Sequence, residues 1–274
     1  MNGYQGQGQG QYTDLAAVFD GSLQGFLAVV YSWYYDKFRP VDVVSDESYQ
    51  PILGTEYVHV QPDDEKAYRV ERAVREKISH EAWENIYKCY LAAEDDRFMD
   101  MLRYIVLGFE CGHSVDDREA IDYVLRIHRI ARYVGGEAHL LSGFARFAET
   151  TAGVYYADIG PVNHVLPILA EHFLDRLRGQ PWIIHDVNRR LAAVYDGKES
   201  YAFAETPKGA SFEYAKGEIE TQKLWQSFFE TITIQPRKNK KLQRQHLPLR
   251  YRKYMTEFKK IDESKNYVRK LPSL

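Results

Sequence analysis

The chain has 274 residues, of which 45% are hydrophobic and 27% are charged, and its formal net charge is −3. This is ordinary globular composition, enough for one large domain or two small ones. No apolar stretch reaches the roughly 18 residues of a membrane-spanning helix, so no membrane partner is expected. The two cysteines, Cys89 and Cys111, have no CxxC spacing, which argues against a disulfide framework and a cysteine-ligated metal site. We expect a cytoplasmic protein with no cofactor and no metal.

The first predicted elements follow a short lead. Residues 1–12 are rich in Gly and Gln and lack the basic and apolar regions of a secretory signal, so they are predicted to be disordered. A single α+β domain is predicted over residues 13–258. Ser22 is predicted to cap a helix that stops before Pro40, and residues 57–60 read as a strand.

Residues 63–135 are predicted to be helical, because their apolar positions recur at helical spacing. Acidic residues open this stretch, and Gly135-Gly136 is predicted to end its last helix. Gly108 and Gly112 are predicted to end an earlier helix.

In residues 139–232 the spacing of the apolar residues is no longer helical, and this region is predicted to contain a sheet. Residues 144–150 and 154–159 read as a hairpin, and a helix is expected over 163–178. Further strands are predicted at 182–186, 191–195 and 200–206, with a helix at 218–231. The fold class is therefore α+β: a helical N-terminal half, then a mainly antiparallel sheet with helices on one face, and a basic C-terminal tail.

The small net charge hides a polarised chain. Residues 1–120 carry a net charge of −11, residues 121–216 are neutral, and residues 217–274 carry +8. The positive end can attract phosphates, and the negative end can repel them or cover a basic partner.

No established catalytic motif is present: the chain has no phosphate-binding Gly loop, no GxSxG elbow and no HExxH. His185-Asp186 invites comparison with metal-dependent hydrolases. The dyad follows three apolar residues on a predicted strand, where neighbouring side chains point to opposite faces. The two side chains are therefore not expected to share one metal.

Six polar residues within 139–190 are candidates for a catalytic pocket. They are His139, Arg146, His164, His172, His185 and Asp186. Each histidine can be a buried ring held by one hydrogen bond, or the set can line a shared polar pocket. Arg146, placed between aromatics on a predicted strand, can pair with a buried carboxylate or bind a phosphate or base.

The tail is the strongest compositional signal. Residues 235–274 contain 13 Lys and Arg against 3 Asp and Glu. Ten of its side chains are predicted to bind nucleic acid, cations on phosphates and tyrosines stacked on bases. They are Arg237, Lys238, Lys240, Lys241, Arg244, Arg250, Tyr251, Arg252, Lys253 and Tyr254. The alternative is a solvated helix, or a tail docked on the acidic residues 1–120.

Several phrases of the sequence also carry a resemblance. They are residues 19–27 (FDGSLQGFL), 137–139 (EAH), 143–147 (GFARF), 164–167 (HVLP), 172–173 (HF), 182–186 (WIIHD), 224–225 (LW) and 247–251 (LPLRY). In this order, over about residues 17–258, they resemble a bacterial family described as probable DNA metabolism proteins, of unknown molecular function. The resemblance implies a gene context beside a radical-SAM protein of DNA modification or repair. A similar domain occurs fused to uracil-DNA-glycosylase-like domains.

The chain departs from that family in three respects, one of which is a shorter polar pattern before the phrase at residues 144–147. Leu140 and Leu141 follow His139, where the family usually has a basic residue, so a basic phosphate contact there is not expected. The chain also has neither a glycosylase-like domain nor a radical-SAM cysteine triad, and a separate protein would have to supply either chemistry.

Two functions of different classes are consistent with these observations. One is a non-catalytic, accessory nucleic-acid-binding protein of DNA metabolism or repair that works with a radical-SAM enzyme. The other is an enzyme acting on a nucleotide or damaged base through a His/Arg/Asp pocket in residues 139–190. Convergence of His139, Arg146, His164, His185 and Asp186 on a deep pocket would favour the enzyme, and scattered, individually paired side chains would favour the binding protein.

Overall fold

The structure is a computed structural model that describes residues 14–207, 211–234, 239–261 and 268–270. The predicted disordered lead lies outside these residues. The chain divides into two compact units, Met1–Tyr133 and Val134–Leu274. It is a mixed α/β protein whose sheets contain both parallel and antiparallel strands. No helix in the described ranges has the length and apolar character needed to cross a membrane.

The first unit combines a small parallel sheet with helices. Its elements are β1 (Asp14–Phe19), α1 (Leu23–Tyr35), β2 (Asp42–Ser45), β3 (Thr55–Val60), α2 (Asp64–Lys77), α3 (His80–Tyr90), α4 (Phe98–Cys111) and the start of α5 (Asp122–Phe144). The strand order is β2-β1-β3, and β1 pairs in parallel with both neighbours. The prediction of a helical N-terminal half was therefore incomplete. β2 is only four residues long and pairs with a strand distant in sequence, so it gives almost no local signal.

Helix starts in the first unit follow the predicted chemistry. Ser22 caps α1 by accepting a hydrogen bond from the Gly25 backbone N–H at 2.9 Å, and Asp63 caps α2 in the same way. Of the two glycines predicted to end a helix, Gly112 does so as the C-cap of α4, whereas the prediction for Gly108 was wrong because α4 continues to Cys111. Gly108 instead allows close packing: a Cβ there would lie 2.6 Å from the Ile78 side chain.

The second unit holds the larger sheet. Its elements are β4 (Ala148–Glu149), β5 (Tyr155–Ile159), α6 (Leu166–Arg176), β6 (Trp182–Asp186), β7 (Leu191–Tyr195), β8 (Tyr201–Glu205), β9 (Ser211–Glu213), α7 (Glu218–Thr231), α8 (Lys240–His246), α9 (Leu249–Arg252) and β10 (Val268–Lys270). The order is β4-β5-β6-β7-β8, and every pairing is antiparallel except β5 with β6. That parallel pair needs a crossover, which α6 provides. A separate antiparallel pair joins β9 and β10.

Two boundary predictions in this unit were wrong. α5 does not end at Gly135-Gly136 but continues to Phe144. Val134, Ala138 and Leu141 are buried at helical spacing, and their packing outweighs the roughly 1 kcal/mol that each glycine costs a helix. The strand predicted over 144–150 is reduced to β4, so Arg146 lies in the connection between α5 and β4 rather than on a strand.

Candidate nucleic-acid interface

The exposed side of α8 carries three of the predicted phosphate-binding cations. Asn239 caps the helix, and its side chain accepts hydrogen bonds from the backbone N–H groups of Lys241 (3.1 Å) and Leu242 (3.0 Å). Lys240, Lys241 and Arg244 are exposed, and their spacing places them within about 100° of the helix circumference. None of the three pairs with a carboxylate of the described residues. Arg237 and Lys238 lie outside those residues.

α8 borders a cleft of about 970 Å³ in the second unit. Its basic lining residues are Lys240, Arg244 and Arg252, and His246 lies among them. Its apolar lining residues are Phe229, Ile232, Ile234, Leu242 and Phe258. Glu230 and Glu257 also contribute to the lining. A cleft with mostly basic charge and apolar side chains can attract phosphates and contact bases or sugars.

The structure corrects the role predicted for the two tyrosines near α9. Tyr251 is 2% exposed and Tyr254 is 8% exposed, so neither ring is available to stack on a base. Tyr254 packs on Gly160, where a Cβ would lie 2.4 Å from its ring. The neighbouring cations Arg250 and Lys253 are exposed, and Arg252 is half-buried. The basic segment after Pro248 is thus partly built into the second unit.

Glu137, buried in α5, anchors this segment. Its carboxylate accepts hydrogen bonds from the backbone N–H of Val162 (2.8 Å), from the backbone N–H of Asn163 (2.8 Å) and from the Asn163 side-chain amide (2.7 Å). The Tyr251 hydroxyl donates a further hydrogen bond to it. Burial and this bond raise the pKa of Tyr251, which therefore stays a neutral donor. One carboxylate thus joins α5, the β5–α6 loop and α9.

Arg146 forms a structural ion pair, one of its two predicted roles. Its Nε and Nη2 donate to the two carboxylate oxygens of Glu257 at 3.1 and 2.8 Å, and the Glu257 side chain is only 2% exposed. Burial alone would raise the pKa of Glu257, but these bonds hold it below its ordinary value. The Trp225 ring lies 5.3 Å from the guanidinium and donates its N–H to the same carboxylate. Arg146 is therefore occupied.

His185 belongs to a buried polar group on β5 and β6. The Tyr156 hydroxyl lies 2.6 Å from Asp158 Oδ1 and 2.8 Å from His185 Nδ1. If Tyr156 donates to Asp158, His185 Nδ1 carries a proton and donates to the tyrosine oxygen. The other ring nitrogen, Nε2, is buried and has no hydrogen-bond partner in the described part of the chain.

Asp186 has different partners, as expected for adjacent strand residues. Its carboxylate accepts a hydrogen bond from Arg189 Nη1 at 3.0 Å and others from the backbone N–H groups of Asn188 and Arg189. Burial raises the pKa of Asp186 even though Arg189 opposes the shift.

Nδ1 of His164 is buried and has no hydrogen-bond partner among the residues described.

The six catalytic candidates do not form one pocket. His164, His185 and Asp186 lie near the carboxyl ends of β5 and β6, where Arg189 influences both His164 and Asp186. His139 and His172 are exposed on α5 and α6, and Arg146 is paired with Glu257. In the described part of the chain, no three His, Cys, Asp or Glu side chains are grouped as a metal site requires.

Replacement of His164 by glutamine is expected to make stability less sensitive to acid. Burial, with a contribution from Arg189, lowers the pKa of His164 from 6.5 to about 4. Between these values the unfolded chain binds a proton that the folded chain does not, so the stability of the wild type falls as the pH falls. Urea unfolding at a series of pH values should show a smaller decline for His164→Gln. The exposed His172→Gln is the control, and identical pH profiles for wild type and His164→Gln would contradict the prediction.

Sequence reasoning missed several residues that organise this region. Glu137 and Glu257 have no local signature, because their partners lie 25 to 114 residues away. Asp158 bonds to Tyr156 on its own strand and to His185 on β6, and only the second of these contacts is distant in sequence. Arg189 could have been found, since it follows Asp186 by three residues in a turn between two predicted strands.

Comparison with known proteins identifies the family of this chain. No curated protein matches the chain. A family model described as a domain of unknown function, DUF4130, matches residues 95–257, more than half of the chain. The matched region contains α8, α9, Glu137 and the buried polar groups of β5 and β6, whereas β1 to α3 precede it. The chain therefore belongs to the DUF4130 family of domains of unknown function.

Proposed function

We propose that this protein is a non-catalytic, accessory nucleic-acid-binding protein. The observation that carries the proposal is the exposed triplet Lys240, Lys241 and Arg244 on one face of α8, without carboxylate partners among the described residues and beside a cleft of about 970 Å³. Three adjacent cations match the repeating charge of a phosphate backbone. The apolar side chains in the cleft supply contacts for bases or sugars that do not depend on sequence.

The biological setting of the proposal is DNA metabolism or repair, in cooperation with a radical-SAM enzyme. This setting is supported by the resemblance of the sequence phrases to the family described above. The occupied state of Arg146 and the burial of Tyr251 and Tyr254 restrict the proposed contacts to the exposed cations. Phosphate contacts carry little sequence information, so binding should be weakly selective.

An enzyme acting on a nucleotide or damaged base is the second candidate. It is favoured by the buried ring nitrogens of His164 and His185, which have no hydrogen-bond partner among the described residues. The exposure of His139 and His172 and the pairing of Arg146 weigh against a common pocket. The 970 Å³ cleft is not lined by His164 or by the buried group of Tyr156, Asp158 and His185. The geometry therefore supports a nucleic-acid-binding protein better than an enzyme.

Binding of single-stranded DNA should depend steeply on salt. If about four of the exposed cations contact phosphates at once, the slope of log affinity against log salt should be about −3 for a single strand. Fluorescence anisotropy of a labelled oligonucleotide, measured with the full chain over a salt series, gives this slope. Oligonucleotides of different sequence should give similar affinities. A slope near zero, or no binding at low salt, would refute phosphate contact.

A further inference from the structure

The first unit contains a second cleft, of about 590 Å³, among α1, α2 and α4. Its lining is unusually aromatic: Tyr31, Tyr34, Tyr35, Tyr68 and Phe109. Tyr35 is 62% exposed and Tyr68 is 64% exposed. These rings therefore face solvent at a concave site, where aromatic side chains more often contact a ligand than complete a core.

Tyr31 and Tyr35 form a stacked pair on α1. They are four residues apart, so they lie on one side of the helix. Their ring centroids are 4.2 Å apart, and the ring planes differ by 15°. Each ring covers one face of the other, and the exposure of Tyr35 leaves the rest of its ring open to solvent. An ordered stack with an open outer ring can be extended by one more flat π-system.

Arg69 of α2 fixes this pair. Its Nη1 donates to the Tyr31 hydroxyl and its Nη2 to the Tyr35 hydroxyl, both at 3.3 Å. The guanidinium carbon lies 5.3 and 5.2 Å from the two ring centroids. The rings are thus held in place before any ligand arrives, which lowers the entropic cost of binding.

The positive charge of the cleft favours aromatic ligands that carry a negative charge. Arg69, Arg72 and Lys77 line it with a single carboxylate, Glu76, although residues 1–120 carry a net charge of −11. Arg72 donates its Nε to Glu76 at 2.9 Å, but both side chains are exposed, and an exposed pair of this kind is weak enough for a phosphate to compete with it. Arg72 follows Arg69 by nearly one helical turn, a rise of about 4.5 Å. A ligand with both an aromatic ring and a nearby negative charge complements this arrangement. A proline-rich segment can also fill a tyrosine-lined groove, but it brings no charge to meet these cations.

We propose that this cleft binds a nucleotide, whose base stacks on Tyr35 and whose phosphate pairs with the cations of α2. The site is separate in its residues from the basic face of α8. The nucleotide can be free or one residue of a single strand, because both present a base and a phosphate. The expectation that the nucleotide is part of a nucleic-acid strand rests on the proposed function, and the rest of the proposal does not.

Titration of the full chain with 2′-deoxyadenosine 5′-monophosphate and with a short oligodeoxythymidylate tests the site. Tyr35→Ala should weaken binding of the recognised probe by about tenfold or more, since stacking of one base contributes about 1–3 kcal/mol. Tyr35→Phe should retain most of the affinity, because it keeps the ring and loses only the hydroxyl. Tyr133→Ala, which removes another exposed tyrosine from α5, is the control and should change nothing. Binding of the monophosphate shows that a free nucleotide suffices, and binding of the oligonucleotide alone shows that a strand is required.

Arg72→Gln tests the phosphate contact. It should weaken binding of the monophosphate and leave that of unphosphorylated 2′-deoxyadenosine unchanged. The proposal is overturned if neither probe binds, if Tyr35→Ala binds both as the wild type does, or if only a proline-rich peptide binds in a Tyr35-dependent way. Loss of oligonucleotide binding on substitution of the α8 cations, with no effect of Tyr35→Ala, would leave the proposed function standing and remove this site. Loss of binding with Tyr35→Ala, and no effect of the α8 substitutions, would support this site and remove the role of α8 in the proposed function.

Discussion

Replacement of Lys240, Lys241 and Arg244 by alanine should weaken binding of single-stranded DNA by about a hundredfold at low salt. Each phosphate contact contributes about 0.7 to the slope of log affinity against log salt for a single strand. Loss of three contacts should therefore make the slope less negative by about 2. All three side chains are exposed, so the fold should be unaffected. Anisotropy titrations over a salt series measure both quantities.

A triple variant of the second unit with the same change in charge is the matched control. Arg176, Arg178 and Lys198 are exposed cations outside the α8 cleft. Their replacement by alanine lowers the net charge equally and should cost much less affinity. If both triple variants lose affinity alike, only overall charge matters. If the α8 variant keeps the wild-type affinity and slope but melts at a lower temperature, the basic face has a structural role instead.

Glu137→Ala is expected to lower the free energy of unfolding by about 3 to 5 kcal/mol. The carboxylate accepts hydrogen bonds from two backbone N–H groups, the Asn163 amide and the Tyr251 hydroxyl. Alanine leaves these donors without their acceptor in a buried region, and each unsatisfied buried donor costs about 1–3 kcal/mol. Urea unfolding monitored by circular dichroism measures the change.

Glu171 provides the matched control for Glu137. It also accepts a hydrogen bond from a tyrosine hydroxyl, that of Tyr201 at 2.7 Å, but this pair is exposed. Glu171→Ala should therefore change the unfolding free energy by only about 0.5 kcal/mol. A similarly small effect for Glu137→Ala would show that the β5–α6 loop and α9 are held by other contacts.

Elements with strong local patterns could be predicted from the sequence. The Ser22 cap, the strands Trp182–Asp186 and Leu191–Tyr195 and the helix Glu218–Thr231 are found where their local signals place them. Predictions from local sequence were wrong where tertiary packing determines the bounds of an element. Gly135-Gly136 has the composition of a helix end, yet the buried side of α5 carries the helix through it.

The candidate interface was predictable only in part. The spacing of Lys240, Lys241 and Arg244 can be read from the sequence, but the cleft beside them depends on α7 and on Phe258. Alternating charge and aromatic residues suggested that Tyr251 and Tyr254 stack on bases. Their burial against Glu137 and Gly160 depends on contacts over 114 and 94 residues, which one sequence does not reveal.

The bond between Glu137 and Tyr251 has a consequence for the order in which the protein folds during synthesis. The ribosome delivers Glu137 long before Tyr251, which is 114 residues later. Until α9 leaves the exit tunnel, the nascent second unit lacks one donor for this carboxylate and the ring that packs on Gly160. The first unit ends at Tyr133, so it can fold while the ribosome is still translating the second unit. The second unit can complete these contacts only after α9 has been synthesised.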